Sequence, residues 1–114
     1  MSAARYNLII DQGTDFALEF IVKESGTAKN LSGYNARAQL RPTKDSSTLT
    51  ETFACTIEDG SVTGKIKAAL TYDKTREIAA GRYFYDLELF TTGGTVIVTR
   101  LLEGTVTITQ EVTR

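Results

Sequence analysis

Along most of this chain apolar and polar residues alternate at every second position, the period of a strand with one side in a core and the other in solvent. The clearest instance is residues 15–23, where Phe16, Leu18, Phe20 and Val22 share one face and Asp15, Ala17, Glu19, Ile21 and Lys23 the other. Residues 34–41 repeat the pattern, with Ala36, Ala38 and Leu40 on one side and Arg37, Gln39 and Arg41 on the other. Pro42, the only proline, ends that strand because it has no N–H to give to a ladder. In residues 49–57, Leu49, Phe53, Cys55 and Ile57 are in phase while Glu51 interrupts, so pairing is expected to begin near Thr52. A turn over residues 58–61 and a returning strand through Val62, Gly64, Ile66, Ala68 and Leu70 complete a hairpin.

Residues 6–10 form a short apolar segment closed by a turn at Gly13, and residues 24–30 a polar loop. Residues 71–81 are the one helix-like stretch, with Thr71 as N-cap and Gly81 as stop, too short for more than a two-turn crossover. Strands follow at 82–90, 95–103 and 105–110. Thr92-Gly93-Gly94-Thr95 joins the first two as a hairpin turn, and Gly104 reads as a bulge or bend within one long final strand. About seven or eight strands and one short helix predict an all-β chain: an antiparallel, immunoglobulin-like β-sandwich forming a single domain over residues 1–114. A small barrel is the other architecture the pattern allows.

Gly81-Arg82-Tyr83-Phe84-Tyr85 places a turn glycine before a Tyr-x-Tyr pair entering a strand, the arrangement of a tyrosine corner. In that reading the Tyr83 hydroxyl bonds back to upstream backbone and Tyr85 fills a core position. The alternative of equal weight is two tyrosines packed simply as large core residues.

The charge balance, 13 Lys+Arg against 14 Asp+Glu, provides no field that would draw the chain to phosphate backbones or anionic lipid, so neither nucleic acid nor membrane is expected as a partner. No apolar run approaches the roughly 18 residues of a spanning helix, and residues 1–5 lack a signal-peptide core, which implies a chain made and kept in a cytoplasm at least until assembly. Cys55 is the only cysteine, ruling out an intrachain disulfide and paired-thiol zinc sites; its phase with Phe53 and Ile57 predicts a buried, inert thiol. Histidine is absent, which removes Ser-His-Asp and Cys-His catalysis and His-ligated zinc. No catalytic residue, cofactor site or metal site is therefore expected.

The remaining candidates are weaker. Asp73, Glu77, Asp86 and Glu88 are carboxylates, but Asp86 and Glu88 share a strand face and are read as solvated or in cross-strand ion pairs. Asp11 and Asp15 flank Gly13 without the spacing of a calcium loop, so turn chemistry accounts for them. Arg37, Arg41 and Arg100 sit opposite apolar positions and, with Tyr34, are candidate contacts to a protein partner, arginine and tyrosine both being enriched at interfaces. An ordinary solvated face is the alternative.

Four stretches in order carry a resemblance: residues 6–16, residues 31–41 (Leu31-Ser32-Gly33-Tyr34 onward), residues 80–89, and the closing Arg100-Leu101-Leu102-Glu103-Gly104-Thr105-Val106-Thr107-Ile108. Together they resemble small tail and baseplate structural domains of tailed bacteriophages, in particular the N-terminal β-sandwich domain of baseplate upper proteins and stand-alone virion proteins built on it. The resemblance implies a non-enzymatic virion component, assembled in the host cytoplasm and present in multiple copies, that attaches other tail or fibre parts, and it supplies no catalytic residues. A head decoration or connector protein is a second reading, and a glycan-binding module using Tyr34 or Tyr72 a third.

Overall fold

A computed structural model of the chain describes residues 3–24, 26–58 and 63–113. The expected turn at Asp59, Gly60 and Ser61, and Val62 after it, lie outside the described residues. The elements in order are β1 (Ala4–Arg5), β2 (Leu8–Asp11), β3 (Phe16–Ile21), β4 (Lys23–Glu24), β5 (Thr27–Ala28), β6 (Tyr34–Arg41), β7 (Glu51–Ile57), β8 (Lys65–Leu70), α1 (Tyr72–Arg76), β9 (Gly81–Thr91) and β10 (Val98–Thr109). The fold is all-β with one short helix. β4 and β5 pair with each other alone, a small hairpin inside what reads as a polar loop.

The remaining eight strands form one continuous curled sheet in the order β1-β10-β9-β6-β7-β8-β3, with β2 also on β10. The expected antiparallel immunoglobulin-like sandwich does not form. β1 and β2 run parallel to β10, so the sheet is mixed, and it bends around its own core as a half-barrel. The bend occurs along β7, whose first residues pair with β6 (Phe53 opposite Ala38) while its last four pair with β8 (Ile57 opposite Ile66). That one strand divides its pairing between two neighbours, both antiparallel to it, along its length. The inward residues, among them Ile10, Leu40, Ile66, Leu87 and Val106, are fully buried together. Burial of such a contiguous apolar set is the main stabilising contribution.

Two glycines explain details that alternation alone misreads. Gly81, expected to stop the helix, instead opens β9 with φ 149°, a backbone shape that residues bearing a Cβ rarely adopt; α1 has already ended at Arg76. Gly104 lies in regular pairing opposite Tyr85, and the register irregularity falls earlier, between Arg100 and Leu102. What Gly104 provides is close approach: the chain between β1 and β2 crosses it so tightly that a Cβ there would lie 2.4 Å from the Tyr6 carbonyl oxygen. At that crossing Tyr6 N–H donates to Glu103 O at 2.9 Å, and the Asn7 side-chain oxygen accepts from Thr105 N–H at 3.1 Å. The interrupted N-terminal strand thus stays bonded to β10.

The helix is tied to the β2–β3 turn. The expected N-cap, Thr71, bonds through its hydroxyl to the Asp73 side chain, and it is Asp15 that accepts the Tyr72 N–H at 2.7 Å. Thr75, fully buried, accepts from Gly13 N–H at 3.0 Å and donates toward Thr14 O at 2.8 Å. These bonds satisfy polar groups that the core would otherwise strand.

Candidate docking face

The outer side of β6, β9 and β10 carries a three-by-three grid of side chains set by the strand register. One row reads Arg37, Glu88, Arg100; the next Gln39, Asp86, Glu103; the third Arg41, Phe84, Thr105. The irregularity between Arg100 and Leu102 allows this arrangement, because skipping one residue keeps both Arg100 and Glu103 on the outer side although they are three apart. With Thr43 and Lys44 from the loop after β6, all of the grid except Arg37 and Thr105 lines a shallow groove of about 300 Å³, and Arg37 lines a smaller adjoining cleft with Gln39, Asp86 and Glu88.

Most charges in the groove are matched. Arg37 Nε donates to Glu88 Oε1 at 2.8 Å, Arg100 Nε lies 3.3 Å from Asp86 Oδ2, and Lys44 Nζ lies 3.8 Å from Glu103 Oε1. The Arg37 guanidinium also rests 4.8 Å from the centre of the Phe90 ring. Partial burial, reinforced by the neighbouring carboxylates of Glu88 and Glu103, pushes the Asp86 carboxyl above its ordinary value despite Arg100. Arg41 differs from the others. Its hydrogen bonds go to neutral acceptors, Gln39 Oε1 at 2.9 Å and the Ser46 carbonyl at 3.3 Å, and it makes no ion pair with a described carboxylate.

The structure brings Arg37, Arg41 and Arg100 together on this face and leaves Tyr34 off it. Tyr34 shares the inward phase of β6, is half-buried against the core, and has Lys29 Nζ 5.1 Å from its ring centre. Tyr83, Tyr85 and Gly81 lie at the start of β9, where the Tyr83 hydroxyl donates to Ala79 O and the Tyr85 hydroxyl to Tyr6 O, each at 2.6 Å. Asp86 and Glu88 are in cross-strand ion pairs, and Phe84, Phe90 and Lys44 join the face without having been singled out. The outward phase of Phe84 and Phe90, opposite to that of Tyr85, Leu87 and Leu89, was the available signal. Next to the face, at the tip of the β9–β10 hairpin, Val96, Ile97 and Val98 are consecutive and exposed. Among the described residues no group of three or more His, Cys, Asp or Glu could hold a metal ion.

No family model matches the chain. No curated protein matches it either. Among solved structures, the N-terminal domain of phage TP901-1 ORF48 has a similar fold. It superposes with a TM-score of 0.56 at 13% sequence identity, over 96% of this chain and 99% of that one. The bacterial superantigen toxic shock syndrome toxin-1 follows at 0.48 and 13% identity, with 92% of each chain covered. A nucleoside hydrolase-related hypothetical protein from Saccharophagus degradans scores 0.38 at 11% identity, over 94% of this chain and 22% of that one. The phage domain shows a shared fold; the two weaker likenesses carry no argument.

Proposed function

We propose that this chain is a non-enzymatic virion structural protein, a single-domain tail or baseplate adaptor that packs against other tail or fibre subunits through the outer face of β6, β9 and β10. The observation that carries the reading is the fold shared with a phage protein's N-terminal domain across nearly the full length of both chains. A fold alone does not fix a function, so the face supplies the second support. Its arginines and phenylalanines are residue types enriched at protein interfaces, and the exposed aliphatic tip beside them adds apolar surface, while Lys44, Asp86, Glu88 and Glu103 give the face the charged character of an interface rim. The formal charge of -1 favours protein partners over nucleic acid or an anionic membrane. In this reading Tyr83, Tyr85 and Gly81 form a tyrosine corner that serves the fold, and repeated copies are set by the symmetry of the particle.

The test is quantitative mass spectrometry of separated heads and tails from particles of the phage encoding this chain. The expected result is enrichment in the tail fraction at a fixed ratio to the other tail proteins. Recovery in heads, or only in the unassembled fraction of the lysate, would overturn the proposal.

A further inference from the structure

We infer that the Arg41 corner of the groove is a receptor for one aspartate or glutamate side chain of the partner, with an apolar residue next to it packing on Phe84. The inference rests on the docking reading of this face and specifies the chemistry of what docks.

Charge complementarity carries it. The groove and the smaller cleft that shares Gln39, Asp86 and Glu88 with it together hold four cations, Arg37 from the cleft and Arg41, Lys44 and Arg100 from the groove, and three carboxylates, Asp86, Glu88 and Glu103. Arg37 pairs with Glu88, Arg100 with Asp86, and Lys44 with Glu103, which Arg100 also approaches to 3.8 Å. The unmatched unit of charge is therefore that of Arg41, whose two protein bonds go to neutral oxygens. A guanidinium has five N–H donors in a planar fork that suits a carboxylate, so donors remain after those bonds. The register places Phe84 beside Arg41 and Thr105 beyond it. That row offers a cation, an aromatic surface and a hydroxyl, which matches an acidic residue adjoining an apolar one. A phosphate fits less well, because its greater negative charge would face the three carboxylates of the same groove at short range.

The experiment uses the purified full chain and two synthetic probes, acetyl-leucyl-aspartyl amide and its neutral isostere acetyl-leucyl-asparaginyl amide, titrated while the arginine Nε–Hε and backbone amide resonances are followed by NMR. The aspartyl probe is expected to shift the Arg41 Nε–Hε and the Phe84 and Thr105 amides saturably, with the asparaginyl probe binding about tenfold more weakly, as the loss of a charge-assisted pair implies. Arg41→Gln is expected to abolish the difference between the probes, while Lys23→Gln, on the separate β4–β5 hairpin, leaves it unchanged. Should Arg41→Gln fold poorly, Arg41→Lys keeps the charge without the fork and is expected to weaken the aspartyl probe alone. Equal response to both probes, no saturable response near Arg41, or tighter binding of inorganic phosphate than of the aspartyl probe would each overturn the inference. These readouts need no virion, so failure here leaves the tail assignment standing, and failure of the tail assignment leaves a carboxylate site intact.

Discussion

Replacing Gly104 with alanine tests the most constrained contact in the fold. The added methyl would lie 2.4 Å from Tyr6 O and 2.9 Å from Asn7 Oδ1, so the β1–β2 crossing has to move away from β10. Overpacking of this kind typically costs about 1–3 kcal/mol. The displaced Tyr6 carbonyl also leaves the Tyr85 hydroxyl, now 2.6 Å away, and that bond is worth about 1 kcal/mol. The expected total is about 2–4 kcal/mol, a fall in Tm on the order of 10 °C for a chain of this size. Urea denaturation of four proteins, wild type, Gly104→Ala, Tyr85→Phe and the double variant, separates the terms. Tyr85→Phe alone is expected to cost about 1 kcal/mol or somewhat more, since it strands a partly buried carbonyl. In the Gly104→Ala background it is expected to cost less than about 0.5 kcal/mol, because the bond is already lost there. Additive costs, or a Gly104→Ala change within about 0.5 kcal/mol of wild type, would refute the close-approach argument.

Three further outcomes follow from the same structure. Tyr83→Phe removes the donor to Ala79 O and is expected to lower stability by about 0.5–1.5 kcal/mol in the same denaturation assay, with no measurable change counting against a structural role for that hydroxyl. Cys55 is half-buried rather than buried as its phase predicts, and this partial burial still pushes its thiol up to about 11, against roughly 8.5 when unfolded. Folding therefore favours the protonated thiol: its contribution is intact below the unfolded value and is lost as pH rises toward the folded one, so Cys55→Ala should flatten the alkaline decline in stability, and rapid reaction of native Cys55 with a disulfide reagent at neutral pH would contradict the burial. The Asp86 carboxyl is also raised, chiefly by burial, so its protonated form is the one folding favours. Asp86→Asn is expected to gain stability relative to wild type as pH rises through the folded-state value, and a relative gain on acidification instead would contradict the sign.

Much of the strand pattern was legible because burial on one face imposes alternation. Residues 34–41 read as a strand from end to end and are β6, with Ala36, Ala38 and Leu40 inward as their phase demands. What alternation cannot report is direction or distance of pairing. Leu8 meets Val106 in parallel, a contact between the two ends of the chain that no local pattern encodes, and it converts the expected antiparallel sandwich into a mixed half-barrel. β7 reads as one ordinary strand, yet its division between β6 and β8 sets the curl. The candidate face was visible as the outward phase of Arg37 and Arg41. Its matched charges were not, because Glu88 opposes both Arg37 and Arg100 only through register, and Arg100 keeps its side only through the irregularity before Leu102. Tyr34 lies off this face for a simpler reason: it shares the phase of Ala36 and Leu40 and so turns toward the core.

Whether this half-barrel is a tail component held by its β6–β9–β10 face is measured directly by cryo-electron microscopy of the intact tail. The expected map contains the domain in symmetric copies, with Arg37, Arg41, Arg100 and Phe84 covered by a neighbouring subunit. A tail map that accounts for all its density without this domain, or one that seats the domain with that face open to solvent, would contradict it.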